Sequence, residues 1–307
     1  MRILKLTLLF FALLPGLVTS AKDPRIGLVL GGGGAKGAAT VGALRVIEDA
    51  GIRIDYITGT SIGAIIGGLY AAGYTAAELE DFLLSQEWED ILQGHRVELL
   101  LKRLFAARGV ADFEDTRIPF RCVATERRSL DEKILGGGDI VKAIRASMSI
   151  PKLYEPVRID GLELVDGGMV NNLPVDVALD MGAEYIIAVD LKQDEDESLG
   201  IDFGEGLLRY WLSRPDLKRY KKNIESIDIH IHPSLPGYHA MSFDRGDCER
   251  MMEIGEQAAR EHWGRLLTVK ERQNVLPNEI RGRNLREYNP AGRIIVGEKR
   301  INYFEVK

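Results

Sequence analysis

Two clusters of glycine, Gly31-Gly32-Gly33-Gly34-Ala35-Lys36-Gly37 and Gly59-Thr60-Ser61-Ile62-Gly63, each separate a short aliphatic run from a longer run with helical spacing. A strand that feeds a helix through a glycine turn, twice in succession, leaves few architectures open. The pattern predicts a mainly parallel sheet with helices on both of its faces, an α/β fold. The same reading extends along the chain. Residues 26–30 read as a buried strand, 35–50 as a helix stopped by Gly51, 54–58 as a strand and 61–72 as a helix ending at Gly73. Thr75 followed by Glu78 is a capping box that starts the next helix. Strands are expected at 120–125 and 185–191, with a further candidate at 227–231, and helices at 139–149, capped by Asp139, and 248–267.

The ends of the chain have a different character. Arg2 and Lys5 open the chain, residues 6–18 are almost wholly apolar, and Thr19-Ser20-Ala21 supplies small residues before Lys22. That layout is a secretory signal peptide over residues 1–21. A membrane anchor is the competing reading, but the apolar run is broken by Pro15 and Gly16 and falls short of the ~20 residues that span a bilayer. The main folded body is placed at 22–268. From 269 to 307 a polar stretch leads into two short β-prone runs, which read as a linker and the start of a small β-containing unit. Export would make the chain periplasmic, outer-membrane-associated or secreted. Cys122 and Cys248 are too few to form a disulfide scaffold, and whether they pair is open.

Charge narrows the partners. With 46 acidic against 40 basic side chains the net charge is −6, and loss of Arg2 and Lys5 with the leader would take it to −8. No basic block is large enough to coat a phosphate backbone, so nucleic acid is not an expected partner.

The second glycine cluster is a nucleophile-elbow pattern, with Gly59 and Gly63 allowing a turn sharp enough to project the Ser61 hydroxyl at a helix start. A plain strand-to-helix turn would look alike. In the first cluster, Gly32 to Gly37 spells Gly-x-Gly-x-x-Gly, which by itself suggests a dinucleotide site with Asp55 on the ribose. Next to an elbow, consecutive glycines have another use: their N–H groups can approach a developing oxyanion, with the helix N-terminus behind them. Lys36 either orders this loop or draws an anionic head group, or is merely a surface lysine.

A serine hydroxyl needs a base. The five histidines, His95, His230, His232, His239 and His262, lie in no triad-like motif. His230 and His232 alternate on a strand, as a metal pair would, but no third ligand follows, so no metal site is assigned. Asp166 is more suggestive. An apolar run delivers this one carboxylate into Gly167-Gly168, although an Asp-Gly turn alone would have the same spelling.

Four ordered motifs then converge: Gly32 to Gly37, the Gly59 to Gly63 elbow, Ala146-Ser147-Met148-Ser149-Ile150-Pro151, and Asp166-Gly167-Gly168 followed by Asn171-Asn172-Leu173-Pro174. In order and spacing they resemble the patatin-like phospholipases. The resemblance implies a three-layer α/β/α fold and a Ser-Asp dyad without histidine, metal or cofactor. Carried over, Ser61 is the nucleophile, Asp166 the general base, and Gly32, Gly33 and Gly34 the oxyanion donors, with Lys36 and Gly37 beside the substrate. Gly59, Gly63, Gly167 and Gly168 support the two turns. The third motif is expected to pack a helix beside the site. The implied substrate is a phospholipid or other lipid ester, with a general esterase or thioesterase, or a non-enzymatic lipid-binding module, as alternatives. Together with the leader and tail, the pattern is similar to the lipase part of bacterial patatin-type autotransporters. Residues 96–108 mix Val97, Leu99, Leu100, Leu101, Leu104 and Phe105 with Arg96, Lys102, Arg103 and Arg108, which fits either a membrane surface or a core helix with a basic outer face. Self-association is left open.

Overall fold

A computed structural model describes residues 23–86, 88, 96–193 and 217–273. The expected leader at 1–21 and the β-prone tail beyond 273 lie outside these residues. The centre is an eight-stranded sheet in the order β5-β6-β3-β2-β1-β7-β8, with β4 also paired to β3. Its strands are β1 (Ile26–Leu30), β2 (Tyr56–Thr60), β3 (Phe120–Glu126), β4 (Glu132–Leu135), β5 (Val157–Ile159), β6 (Leu162–Asp166), β7 (Tyr185–Val189) and β8 (Ile229–Ile231). The run β3-β2-β1-β7-β8 is parallel throughout, and β4, β5 and β6 join antiparallel.

The helices are α1 (Gly37–Asp49), α2 (Ile62–Ala71), α3 (Ala76–Leu84), α4 (Arg96–Ala107), α5 (Ile140–Ser147), α6 (Val175–Asp180), α7 (Leu217–Glu225), α8 (Arg245–Arg260) and α9 (Trp263–Gln273). Strand residues alternate between two layers. Leu28, Leu30, Ile187 and Val189 join the large core with α1, α2, α3, α4, α5, α8 and α9, while Val29, Ile186 and Ala188 pack with Val175 and Ala178 of α6 and Tyr220 and Ile224 of α7. Burial on both faces is what makes β1 a continuous apolar run. The three-layer α/β/α arrangement is therefore the one expected.

Several boundaries differ from the expectations. β2 runs over Tyr56–Thr60 rather than 54–58, because its pairing with β3 continues to Thr60 opposite Val123. The helix expected over 248–267 is two, α8 and α9, separated at Glu261 and His262. α8 starts earlier because the Asp244 carboxylate caps the Gly246 and Asp247 amides. α9 runs past the boundary expected at 268: Val269 is buried, and the Gln273 amide bonds both Arg53 N (2.9 Å) and Arg53 O (2.7 Å). In α4, Val97, Leu100, Leu101, Leu104 and Phe105 are all buried, and Leu99 is the exposed large apolar residue at 56%. The apolar side of this stretch is core, so Leu100 offers nothing to a lipid surface. Among the described residues no helix is long and apolar enough to cross a membrane. Cys122 and Cys248 are both buried free thiols.

Candidate active site

Ser61 follows directly on β2 and precedes α2, with φ 57 and ψ −122. This positive φ is strained for a side chain bearing a Cβ, by about 1–3 kcal/mol. The surrounding glycines make the turn sterically feasible. A Cβ on Gly59 would lie 2.3 Å from the Gly63 carbonyl oxygen, and one on Gly63 would lie 2.2 Å from that of Leu30. The Ser61 N–H donates to Ser147 Oγ at 3.0 Å, and Ser147 Oγ donates to Val123 O at 2.6 Å. The third motif thus does more than pack a helix, for its first serine holds the elbow backbone.

Asp166 arrives from the other direction. Val123 pairs with Thr60 and Ile134, and the next residue, Ala124, pairs with Asp166 and Lys133. β4 occupies one edge of β3, so β2 and β6 meet end to end along the other. That junction places the last residue of β6 against the residue after β2. Ser61 Oγ donates to Asp166 Oδ2 at 2.7 Å, and Asp166 Oδ1 accepts the Gly168 N–H at 2.7 Å. Asp166 is 1% exposed and Ser61 8%. Burial pushes the Asp166 carboxyl up to about 6, against the opposing pull of the hydrogen bonds from Gly168 and Ser61. Gly167 fits because a Cβ there would sit 2.2 Å from Val123 O. Gly168 is confined by Asn172 Oδ1 and Asp166 Oδ1.

The first glycine loop lies against the elbow, since a Cβ on Gly32 would be 3.1 Å from Ser61 Cβ and 2.4 Å from Asn172 Oδ1. Asn172 holds the loop twice: its carbonyl accepts the Gly32 N–H at 3.2 Å, and its Nδ2 donates to Gly32 O at 3.1 Å. The Gly32 amide is therefore engaged, which removes it from the expected donor set. The Gly33 and Gly34 amides have no acceptor among the described residues, whereas Ala35 N donates to Ala240 O at 2.8 Å. Gly37 is packed against α2, with a Cβ there falling 2.3 Å from Ile62 Cγ1. Lys36 is 3% exposed, so it is no surface lysine.

Asp55 bonds Ile26 N (2.9 Å) and Arg53 Nε (2.9 Å) at the start of β1, the opposite end of the strands from the glycine loop. A ribose at that loop is out of its reach, which removes the dinucleotide alternative. No histidine among the described residues bonds Ser61 or Asp166. His230 Nε2 instead meets the buried Asp190 Oδ2 at 3.1 Å, and His232 bonds Lys192 O. The two rings stack at 5.4 Å, and no group of three or more potential metal ligands occurs among the described residues.

The roles of Ser147, Asn171 and Asn172 were not visible in the sequence, although all three lie inside the quoted motifs. Their signal was position alone: Ser147 at the end of a helix, the asparagines a few residues past Asp166.

The chain is similar to several known proteins. The patatin-like phospholipase domain-containing protein ZK370.4 of Caenorhabditis elegans is 31% identical over 300 residues, 83% of this chain and 22% of that protein. Neuropathy target esterase sws of Drosophila melanogaster is 35% identical over 206 residues, 61% of this chain and 14% of that protein. The chain thus spans 22% or less of the length of these two relatives. Among solved structures, VipD from Legionella pneumophila is similar with a TM-score of 0.49 at 11% identity, covering 79% of this chain and 67% of that one. Residues 28–179 match the family Patatin, described as patatin-like phospholipase, and the chain belongs to that family.

Proposed function

We propose that the chain is a serine acyl-ester hydrolase that uses a Ser61–Asp166 dyad to release fatty acids from phospholipids or other lipid esters. The observation that carries this reading is the 2.7 Å bond from Ser61 Oγ to a buried carboxylate whose hydrogen-bond partners among the described residues are Ser61 and the Gly168 amide, with no cation. A carboxyl raised to about 6 is closer than an ordinary aspartate to the basicity that a general base needs near neutral pH. Asp166 takes the Ser61 proton as Oγ attacks the ester carbonyl, and the tetrahedral oxyanion is received by the Gly33 and Gly34 amides. The protonated Asp166 then delivers its proton to the departing alcohol. In the second half, Asp166 deprotonates water for attack on the acyl-serine, and Ser61 leaves with its proton restored. Family membership supports a lipid ester as the acyl donor.

Labelling by a fluorophosphonate probe tests the proposal. Labelling of the parent and its loss in Ser61→Ala are expected, and Asp166→Asn is expected to slow labelling and turnover by at least about 10³-fold. A parent that ignores the probe would leave the family fold without this chemistry. A panel of phospholipids, lysophospholipids and soluble short-chain esters and thioesters then assigns the acyl donor, and preference for the soluble esters would overturn the lipid assignment.

The same proposal includes export by residues 1–21. Mass spectrometry of the protein recovered from its native host is expected to find an N-terminus close to Lys22, and recovery of chains retaining Arg2 and Lys5 would remove the leader.

A further inference from the structure

Asn171 is where the two halves of the dyad are joined. Its N–H donates to Gly167 O at 2.9 Å, one residue past Asp166, and its carbonyl accepts the Thr60 hydroxyl at 2.8 Å, one residue before Ser61. The backbone of one residue thereby ties the turn that carries Asp166 to the strand that leads into Ser61.

The side chain of Asn171 is fixed in turn. Its Nδ2 has two hydrogens. It donates to Glu132 Oε1 and to Asp176 Oδ1, each at 2.8 Å. The other oxygens of the two carboxylates accept from a single guanidinium: Arg219 Nη2 donates to Glu132 Oε2 and Arg219 Nε to Asp176 Oδ2, both at 2.7 Å. Amide, carboxylate, guanidinium and carboxylate close into a ring. Asn223, 3% exposed, adds Nδ2 bonds to Asn171 Oδ1 (3.3 Å) and Leu173 O (2.9 Å). The ring draws on β4, the segment after Asp166, α6 and α7, and none of its members touches Ser61 or Asp166 through a side chain.

We propose that this ring is a clamp that sets the Ser61–Asp166 separation, with Arg219 and Asn171 as positioning residues; the inference rests on the dyad reading above. The planar fork of arginine spans two carboxylates at fixed spacing, which a lysine ammonium does not reproduce. Loss of Arg219 leaves Glu132 and Asp176 facing each other across one neutral amide. Their repulsion moves Asn171, and with it Thr60 and Gly167. A displacement of about 1 Å at the reacting groups costs about 10²-fold in rate.

The test uses the full chain and the variants Arg219→Gln, Arg219→Lys and Glu132→Gln. Three quantities are measured: the fluorophosphonate labelling rate, kcat and KM on a soluble p-nitrophenyl ester, and thermal melting by circular dichroism. Well below the melting temperature, Arg219→Gln is expected to lose roughly 10- to 100-fold in kcat and labelling rate with KM nearly unchanged. Arg219→Lys and Glu132→Gln, which keep part of the ring, are expected to fall between that variant and the parent. A merely structural ring would lower the melting temperature and leave the rates of the folded variants at the parental level, which overturns the clamp. Where Arg219→Gln does not fold, Glu132→Gln decides by the same criterion. A parent that is not labelled at all overturns the dyad reading itself; a labelled parent with variants labelled equally fast overturns only the clamp.

Discussion

Ser61 and Asp166 are each unfavourable where they stand, one in backbone conformation and the other in solvation. The consequences for pH have a definite sign. Asp166 binds its proton more tightly folded than unfolded, its ordinary value of 3.8 rising to about 6. In the proposed dyad, Asp166 protonated below about 6 cannot accept the Ser61 proton, so kcat/KM is expected to fall on the acid side with a midpoint near 6. A pH–rate profile flat down to pH 4 would remove Asp166 as the base. Stability has the opposite dependence. Ionisation of Asp166 opposes folding fully above the folded value and not at all below the unfolded one, a difference of about 3 kcal/mol. Asp166→Asn can still accept from Gly168 and donate to Ser61. Denaturant melts of this variant are therefore expected to show it more stable than the parent at pH 8, with the advantage gone at pH 4. At this scale the sequence was readable where glycine marks a tight turn, as at Ser61 and Asp166, which the structure brings within hydrogen-bond distance. It was not readable at Ser147 and Asn172, whose bonds to Ser61 and Gly32 cross separations of 86 and 140 residues. No local pattern distinguishes a serine or asparagine that holds a distant backbone from one facing solvent.

Among the elements, the contact between α1 and α8 is made backbone to backbone. A Cβ on Gly42 would lie 1.9 Å from Met252 O, and one on Gly255 would lie 1.9 Å from Ala39 O. Helical propensity alone would favour alanine at both positions by about 1 kcal/mol. The contact reverses that preference, and Gly255→Ala is expected to destabilise by at least about 2 kcal/mol in chemical denaturation. A stabilised variant would show that the helices separate freely. α4 supplies a second contrast between neighbours. Leu100→Glu places a charge where the side chain is 3% exposed and should cost several kcal/mol, about 4 or more. Leu99→Glu, at a site 56% exposed, should stay within about 0.5 kcal/mol, and thermal melts of the pair decide it. Strong periodic elements were legible for the same reason that they are stable, since burial writes the spacing. β4 and β5 were not, being short and only partly buried. The β5–β6 hairpin did carry a signal, Asp160-Gly161, whose φ values of 49 and 80 are those of a tight hairpin turn. The break at Glu261 and His262 had none, with neither Gly nor Pro at those two positions to interrupt the pattern of 248–267.

For the molecule as a whole, alternation of strands and helices was enough to reach the three-layer architecture, because each parallel strand has to be covered on both faces. The order of strands and the end-to-end meeting of β2 and β6 on β3 were not accessible from alternation, since pairing partners are chosen by the assembled core. The C-terminal limit shows the same division. Composition turns polar after Leu267, and the folded body was expected to stop at 268. Yet α9 continues to Gln273, burying Val269 at 1% exposure and closing two bonds to the Arg53 backbone at the entry to β2. Burial of a valine contributes about 1.5–3 kcal/mol and two amide bonds about 1 kcal/mol each. A chain ending at 273 is therefore expected to exceed one ending at 268 by about 3.5–5 kcal/mol in chemical denaturation. Gln273→Ala in the longer chain, which removes the two bonds and keeps Val269, should recover an intermediate value. Equal stability of the two truncations would mean that the last turn of α9 is held by nothing beyond its own helix.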